Sequence, residues 1–407
     1  VDPLRTTAFA RRWAPRMMIL SLFSYPAIAL MTSIFDMDSR IAAVPLRIVV
    51  FVVSLYVIAG TYQDGRWLRK NYWVMAFALL YLARLLYDWL IADVPKVTEA
   101  LTFYLVACLV PCIASGMAGI IALGEKRAAW QLALAGGAIC GLAVLMSLLG
   151  LGAARTYDPW STGGRLSFEA LNPITLGHIG ASTLIALLSL TRTRMPMANF
   201  VVLIALAAIA VWTMLAAGSR GPIISLACAG LVYAAMTARF GWILVIIGAV
   251  VAMVLFGENS LLTRFEGATS DESALIRLAI QGNAVIQFLG SPILGSAYTE
   301  LESLEYPHNL FIETAMAMGL VGLLLLFIVL FRSARIAWRS LKEGRTLIPL
   351  LFVQSFIGLQ FSGSIWGATG LYLTVMVLGS YPKLRRSASA DETPGPSRPS
   401  TAPSTSG

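Results

Sequence analysis

"NFVVLIALAAIAVWTMLAAGSRGPIISLACAGLVYAAM", Asn199–Met236, holds a single charged residue, Arg220. The apolar run on each side of it is about long enough, at roughly 1.5 Å per helical residue, to cross a hydrocarbon core of about 30 Å. Only Gly218, Ser219 and Gly221 surround the arginine. The stretch therefore predicts two membrane helices joined by a tight turn. The rest of the chain repeats the pattern. Of its 407 residues 58% are hydrophobic and 13% charged, against about 25% charged in a water-soluble protein. The fold class is an all-α polytopic membrane protein. One transmembrane domain is expected over residues 1–386, followed by a disordered, Pro/Ser/Thr-rich tail over 387–407.

Twelve transmembrane helices are predicted, at about 17–35, 41–60, 71–92, 101–123, 128–151, 173–191, 198–217, 221–238, 241–257, 309–331, 347–364 and 366–382. A short turn at Gly363–Gly367 separates the last two. With the N-terminus inside, the inner segments hold 21 of the 30 lysines and arginines, which places both termini in the cytoplasm. The net charge of +9 then belongs mostly to anchors facing anionic lipid and needs no nucleic acid. No cleavable signal peptide is expected at the start. The four cysteines, Cys108, Cys112, Cys140 and Cys228, lie in apolar runs and read as small buried residues, not a disulfide framework.

Two outer segments are long, 152–172 and 258–308. The second is too long for a plain connection. Within it "ESALIRLAIQGNAVIQFLG" predicts a helix ended by Gly290-Ser291-Pro292. Leu275, Leu278, Gly282, Val285 and Leu289 share one face; Arg277, Gln281, Ala284 and Phe288 share another.

Outer arginines run against the positive-inside bias and so invite a functional reading. Arg220 sits in its tight turn, with Pro222 suited to the first turn of the next helix. A guanidinium beside a helix N-terminus suits a diphosphate. Arg277, Arg264 and Arg165 are further candidates. His308, between Pro307 and Asn309, stands where a polar segment meets an apolar one. Its ordinary pKa near 6.5 suits a general base. Asn172 and Asn309 are placed to cap the helices that follow them. His178 reads as a packing residue. Asp36 and Asp38 read either as a weak metal pair or, more simply, as charges ending a helix. Arg84 and Asp88, spaced i, i+4, read as a mutual salt bridge, with a proton relay as the sharper alternative.

Taken in order, "GSRGP", the arginine-bearing helix followed by "SPILGSAY", and "HNLFIETAMAMGLVG" resemble the O-antigen ligase and polymerase superfamily. The matching positions are Ser219, Arg220 and Gly221; Pro292 and Gly295; His308 and Asn309; Glu313 and Gly319. "NPITLG" resembles the family's segment before the sixth span. The resemblance covers roughly residues 160–325. It implies a GT-C type fold and a metal-independent, inverting glycosyltransferase of the bacterial inner membrane. Its active site would face the periplasm, and it would need no cofactor. The donor would be an undecaprenyl-diphosphate-linked O-antigen and the acceptor a sugar hydroxyl of lipid A-core. His308 would be catalytic, and Arg220, Arg277, Arg264 and Arg165 would hold the diphosphate. A polymerase and a protein O-oligosaccharyltransferase share the fold and donor. A lipid-linked glycan transporter would need a more polar path through the spans.

Overall fold

The computed structural model describes residues 3–62, 65–118, 124–151, 166–168, 171–191, 196–237 and 272–381. Among these residues the chain is helical apart from an isolated antiparallel bridge between Phe168 and Leu171. Nine of the described helical segments are long and apolar enough to span a membrane. They are α1 (Pro3–Ile34, apolar from Pro15), α2 (Ser39–Thr61), α3 (Arg66–Leu90), a composite span, α6 (Glu125–Leu149), α7 (Pro173–Leu190), α8 (Met197–Ala217), α9 (Arg220–Thr237) and α11 (Leu310–Lys342). The composite span joins α4 (Val97–Phe103) to α5 (Val110–Ala118) through a π-helical turn, Tyr104–Leu109. The helix expected in the long outer segment is α10, Glu272–Gly290. The predicted ninth span, 241–257, lies outside the described residues.

The caps explain several boundaries. Asn172 Oδ1 accepts from Thr175 N at 2.8 Å, with Pro173 in the first turn of α7. Asn309 Oδ1 accepts from Phe311 N and Ile312 N, starting α11. Asp38 Oδ1 accepts from Arg40 N and caps the start of α2, so this half of the acidic pair has a helix-capping role. Each cap satisfies backbone donors that the helix itself leaves open.

Exposed apolar side chains on α2 (Ile48, Val49, Val52) and α8 (Phe200, Val201, Ile204) give the bundle a lipid-compatible surface. The interior runs continuously from Phe77 and Tyr81 through Leu132 and Ile185 to Leu350 and Leu373.

The last two expected spans are corrected. The helices there are α12, Leu347–Gly358, and α13, Thr369–Gly379, of 12 and 11 residues. At 1.5 Å per residue neither reaches across a core of about 30 Å. The chain unwinds between them, and its polar backbone is satisfied by protein. Leu359 O accepts from Leu310 N at 3.2 Å, and Ile365 N donates to Glu313 Oε1 at 2.9 Å.

The tenth expected span is found in α11, but it is not straight. Gly319, inside α11, has φ 62° and ψ −157°, and the helix breaks there. The segment after α10 fills the break. Leu320 N donates to Pro292 O at 2.8 Å, Val321 N to Ile293 O at 3.3 Å, and Ser296 N to Met316 O at 2.9 Å. A Cβ on Gly319 would lie 2.3 Å from Ile293 O, and one on Gly295 would lie 2.4 Å from the Ala317 carbonyl carbon. Two glycines thus let two backbones meet where side chains would keep them apart. A Cβ on Gly322 would lie 3.3 Å from Thr314 Cγ2, so the half-helix before the break folds back on the half after it.

Candidate functional site

Three of the residues singled out in the sequence converge on one connection, Leu359–Gly363, between α12 and α13. Gly218 closes α8 in a left-handed conformation (φ 55°), and Arg220 is the first residue of α9. The next residue, Gly221, packs against Phe361, where its Cβ would lie 3.4 Å from the Phe361 Cβ. From the other side Arg277 Nη1 donates to Phe361 O at 3.3 Å. His308 stands two residues before Leu310, whose amide bonds Leu359 O.

α10 reaches this connection with its mixed face. Ile280 and Ala284 are buried, while Leu275, Leu278, Val285 and Leu289 are exposed. The apolar stripe therefore faces outward, and the side carrying Arg277 and Gln281 faces the site. Gln281 Nε2 donates to Pro307 O at 3.0 Å, fixing the peptide just before His308.

His308 is a non-glycine residue at φ 56°, in the left-handed region that L side chains avoid. Backbone conformations of this kind cluster at functional sites. Its ring packs on Tyr306, centroids 4.3 Å apart, and Tyr306 meets Trp366 edge-on at 6.1 Å. Nδ1 is buried with no hydrogen-bond partner. Burial, and secondarily the positive charge of Arg277, push the His308 pKa down to about 4. The imidazole is therefore neutral at physiological pH and able to accept a proton.

Glu313, one turn into α11, is fully buried; Oε1 holds Ile365 N while Oε2 has no partner. Arg84 and Asp88 form the expected salt bridge. The bridge also does more than pair charges, since Asp88 Oδ2 accepts from Tyr298 N at 2.7 Å and ties the segment after α10 to α3. His178 packs against Gly358, with its backbone oxygen accepting from Gln354 Nε2 at 3.1 Å, and its ring borders a cavity of about 490 Å³. Tyr306 and Trp366 border the same cavity, and through Tyr306 it adjoins the His308 ring. Among the described residues no group of three or more His, Cys, Asp or Glu side chains is placed to hold a metal. Arg165 and Arg264 lie outside the described residues.

Residues 205–327 match the family model described as O-antigen ligase. The matched O-antigen ligase segment runs from α8 into α11 and takes in Arg220, Arg277, Gly295, His308, Glu313 and Gly319. It takes in the "GSRGP", "SPILGSAY" and "HNLFIETAMAMGLVG" motifs, for which the resemblance is shown; "NPITLG" lies before it. Members of the O-antigen ligase family are glycosyltransferase-like enzymes acting on lipid-linked glycans. No curated protein matches the chain.

Nothing in the residue pattern marks Phe361, whose carbonyl and side chain join Arg277 to the Gly221 turn. A phenylalanine in an apolar run carries no signal of a backbone role. The positive φ of His308 was equally hidden, although the preceding proline and following asparagine marked a constrained turn.

Proposed function

We propose that the chain is an O-antigen ligase: a metal-independent, inverting glycosyltransferase that moves O-antigen from undecaprenyl diphosphate to a sugar hydroxyl of lipid A-core. The observation that carries this reading is the convergence of His308, Arg277 and the Arg220 turn on the Leu359–Gly363 connection. Neutral His308 accepts the proton of the acceptor hydroxyl. The hydroxyl oxygen forms a bond to the anomeric carbon of the donor's first sugar as the bond from that carbon to the diphosphate oxygen breaks. The diphosphate leaves with the bonding pair, and one such displacement inverts the anomeric centre. Arg220 and Arg277 stabilise the charge that develops on the leaving group; Arg264 and Arg165 are proposed to join them. As negative charge builds up beside it, the imidazole becomes a stronger base when it is needed.

The domain is proposed to be GT-C type and to lie in the bacterial inner membrane, with both termini cytoplasmic and the site periplasmic. The 258–308 segment is proposed to be the periplasmic loop; the tail, 387–407, lies outside the described residues. Both substrates are lipid-anchored, which suits a base held at the start of a membrane helix.

The test is reconstitution of purified protein with undecaprenyl-diphosphate-linked glycan and rough lipopolysaccharide in EDTA. Glycan should appear on lipid A-core, and His308→Ala should lower the rate by about 10²–10⁴-fold, the range for loss of a positioned general base. Lengthened undecaprenyl-linked chains would assign a polymerase instead. Activity regained only with added metal would overturn the metal-independent mechanism.

A further inference from the structure

Arg47 lies eight residues into α2, about 12 Å along the helix from its start. An arginine at that depth in a spanning helix is costly unless it is paired or faces a cavity. Among the described residues Arg47 forms no ion pair; Glu99 acts on it only through its field. Its guanidinium is clamped between the rings of Tyr25, at 4.8 Å, and Phe103, at 4.7 Å. Its Nε is buried without a hydrogen-bond partner. The clamp fixes the side chain, and the missing partner leaves a donor to be filled.

Arg47 borders the 490 Å³ cavity behind Tyr306, a size typical of small-molecule sites. The lining is unusual for the interior of a helix bundle. His178, Ser182 and Gln354 supply polar groups, and Tyr306 and Trp366 supply aromatic faces. Ser182 Oγ and Gln354 Oε1 already bond each other at 3.1 Å. Hydroxyl and amide groups beside flat rings suit a pyranose, whose edge is polar and whose faces carry C–H groups. Tyr306 belongs both to this cavity and to the His308 contact, so a sugar seated here lies beside the base.

We propose that this cavity is a saccharide subsite in which Arg47 holds an anionic substituent, a phosphate or a carboxylate, on a sugar ring. The proposal deepens the glycosyltransferase reading and rests on it. It gives the protein a preference for charged sugars that the arginines around Phe361, assigned to the diphosphate, do not supply.

The test is direct binding to the full chain in lipid nanodiscs, with no donor present, by ligand-observed saturation-transfer NMR. Glucose 6-phosphate, glucuronate and glucose are the observed probes; inorganic phosphate, which has no C–H protons, is read by its displacement of the charged sugar. At least one of the two charged sugars should bind tenfold or more tightly than glucose, and the tighter one identifies the substituent. Arg47→Met should abolish that preference, and Ala107→Phe, which fills the cavity from its wall, should weaken all three sugars. A thermal unfolding transition is recorded for each variant, and Ala107→Phe decides the matter if Arg47→Met does not fold. The proposal is overturned if charge confers no preference, if Arg47→Met keeps it, if Ala107→Phe leaves sugar binding unchanged, or if inorganic phosphate binds as tightly as the charged sugar. Because binding is read without transfer, a ligase with no such preference would sink the subsite alone. Charged-sugar binding without transfer would sink the ligase reading alone.

Discussion

The rings of Phe311 and Phe327 stack with centroids 5.5 Å apart. In an unbroken helix these residues would lie about 24 Å apart along the axis. The contact exists because the chain doubles back at Gly319. The half-helix Leu310–Met318 that follows His308 is thus folded against the longer helix, and the histidine lies at its inner start instead of at the far tip of a straight span.

Gly319→Ala should be among the most damaging single-atom additions in the protein. The new Cβ meets three backbone atoms of 293–295 within 2.7 Å, and the φ of 62° disfavours any L side chain. We expect a loss of about 3 kcal/mol or more, read as a lowered unfolding midpoint in detergent. Gly282→Ala, with open space around the added carbon and a position inside α10, should leave stability unchanged or slightly raised.

The pH profile should carry the mark of Arg277. With the His308 pKa near 4, its imidazole stays neutral through the neutral range, as the proposed general base requires. For the free enzyme, kcat/KM should be flat from about pH 8 to 5 and fall as the pH drops through 4. Removing the positive charge with Arg277→Gln should move that acidic limb upward, but not to 6.5, because burial is the larger cause. The position of the limb tests this, whatever happens to the maximal rate. A limb that stays in place would mean that Arg277 does not act on the histidine.

Glu313 should separate a hydrogen-bonding role from a charge role. Glu313→Gln keeps an oxygen for Ile365 N and should fold normally. Glu313→Ala leaves that buried amide without an acceptor, at a cost of about 1–3 kcal/mol. The alanine variant should also loosen the stretch between α12 and α13, which carries Phe361 and Trp366, raising KM for the donor more than the glutamine variant does. Equal behaviour of the two variants would exclude this role.

Asp88→Ala should cost about 3–5 kcal/mol, since it strands Arg84 in a largely buried site and removes the acceptor of Tyr298 N. The double variant Arg84→Met/Asp88→Leu should recover much of that loss. Denaturation midpoints of the three proteins check both statements, and a double variant no better than Asp88→Ala would refute the second.

Much of the helical plan was legible because hydrophobic runs and caps are local. The Gly218 turn, the caps at Asn172 and Asn309, and the end of α10 at Gly290 follow from a few adjacent residues. The break at Gly319 does not. "AMAMGLVGLL" reads as continuous apolar helix, and small residues are ordinary in membrane spans. The break exists only because Pro292 O and Ile293 O, each 28 residues upstream of its partner, arrive to receive Leu320 N and Val321 N. The shortness of α12 and α13 was hidden in the same way: apolar residues continue on both sides of the turn, and the unwound backbone is tolerable because distant partners, Leu310, Glu313 and Arg277, meet it. Within the site, polar types pointed to His308, Arg220 and Arg277, while Phe361 acts through a carbonyl that every residue possesses. Arg47 was visible as a charge within a span, but the clamp of Tyr25 and Phe103 around it requires three separate helical segments to meet.

The doubling back at Gly319 also bears on how the protein is made. Leu310–Phe331 enters the bilayer as an apolar run of ordinary length, and an insertion apparatus that weighs hydrophobicity meets a straight span. In lipid, a helix has no reason to surrender backbone hydrogen bonds on its own. The reversal therefore belongs to a later stage of biogenesis, when the segment after α10 docks and offers its carbonyls in exchange. His308 takes its place beside Tyr306 only then, so insertion precedes assembly of the candidate site.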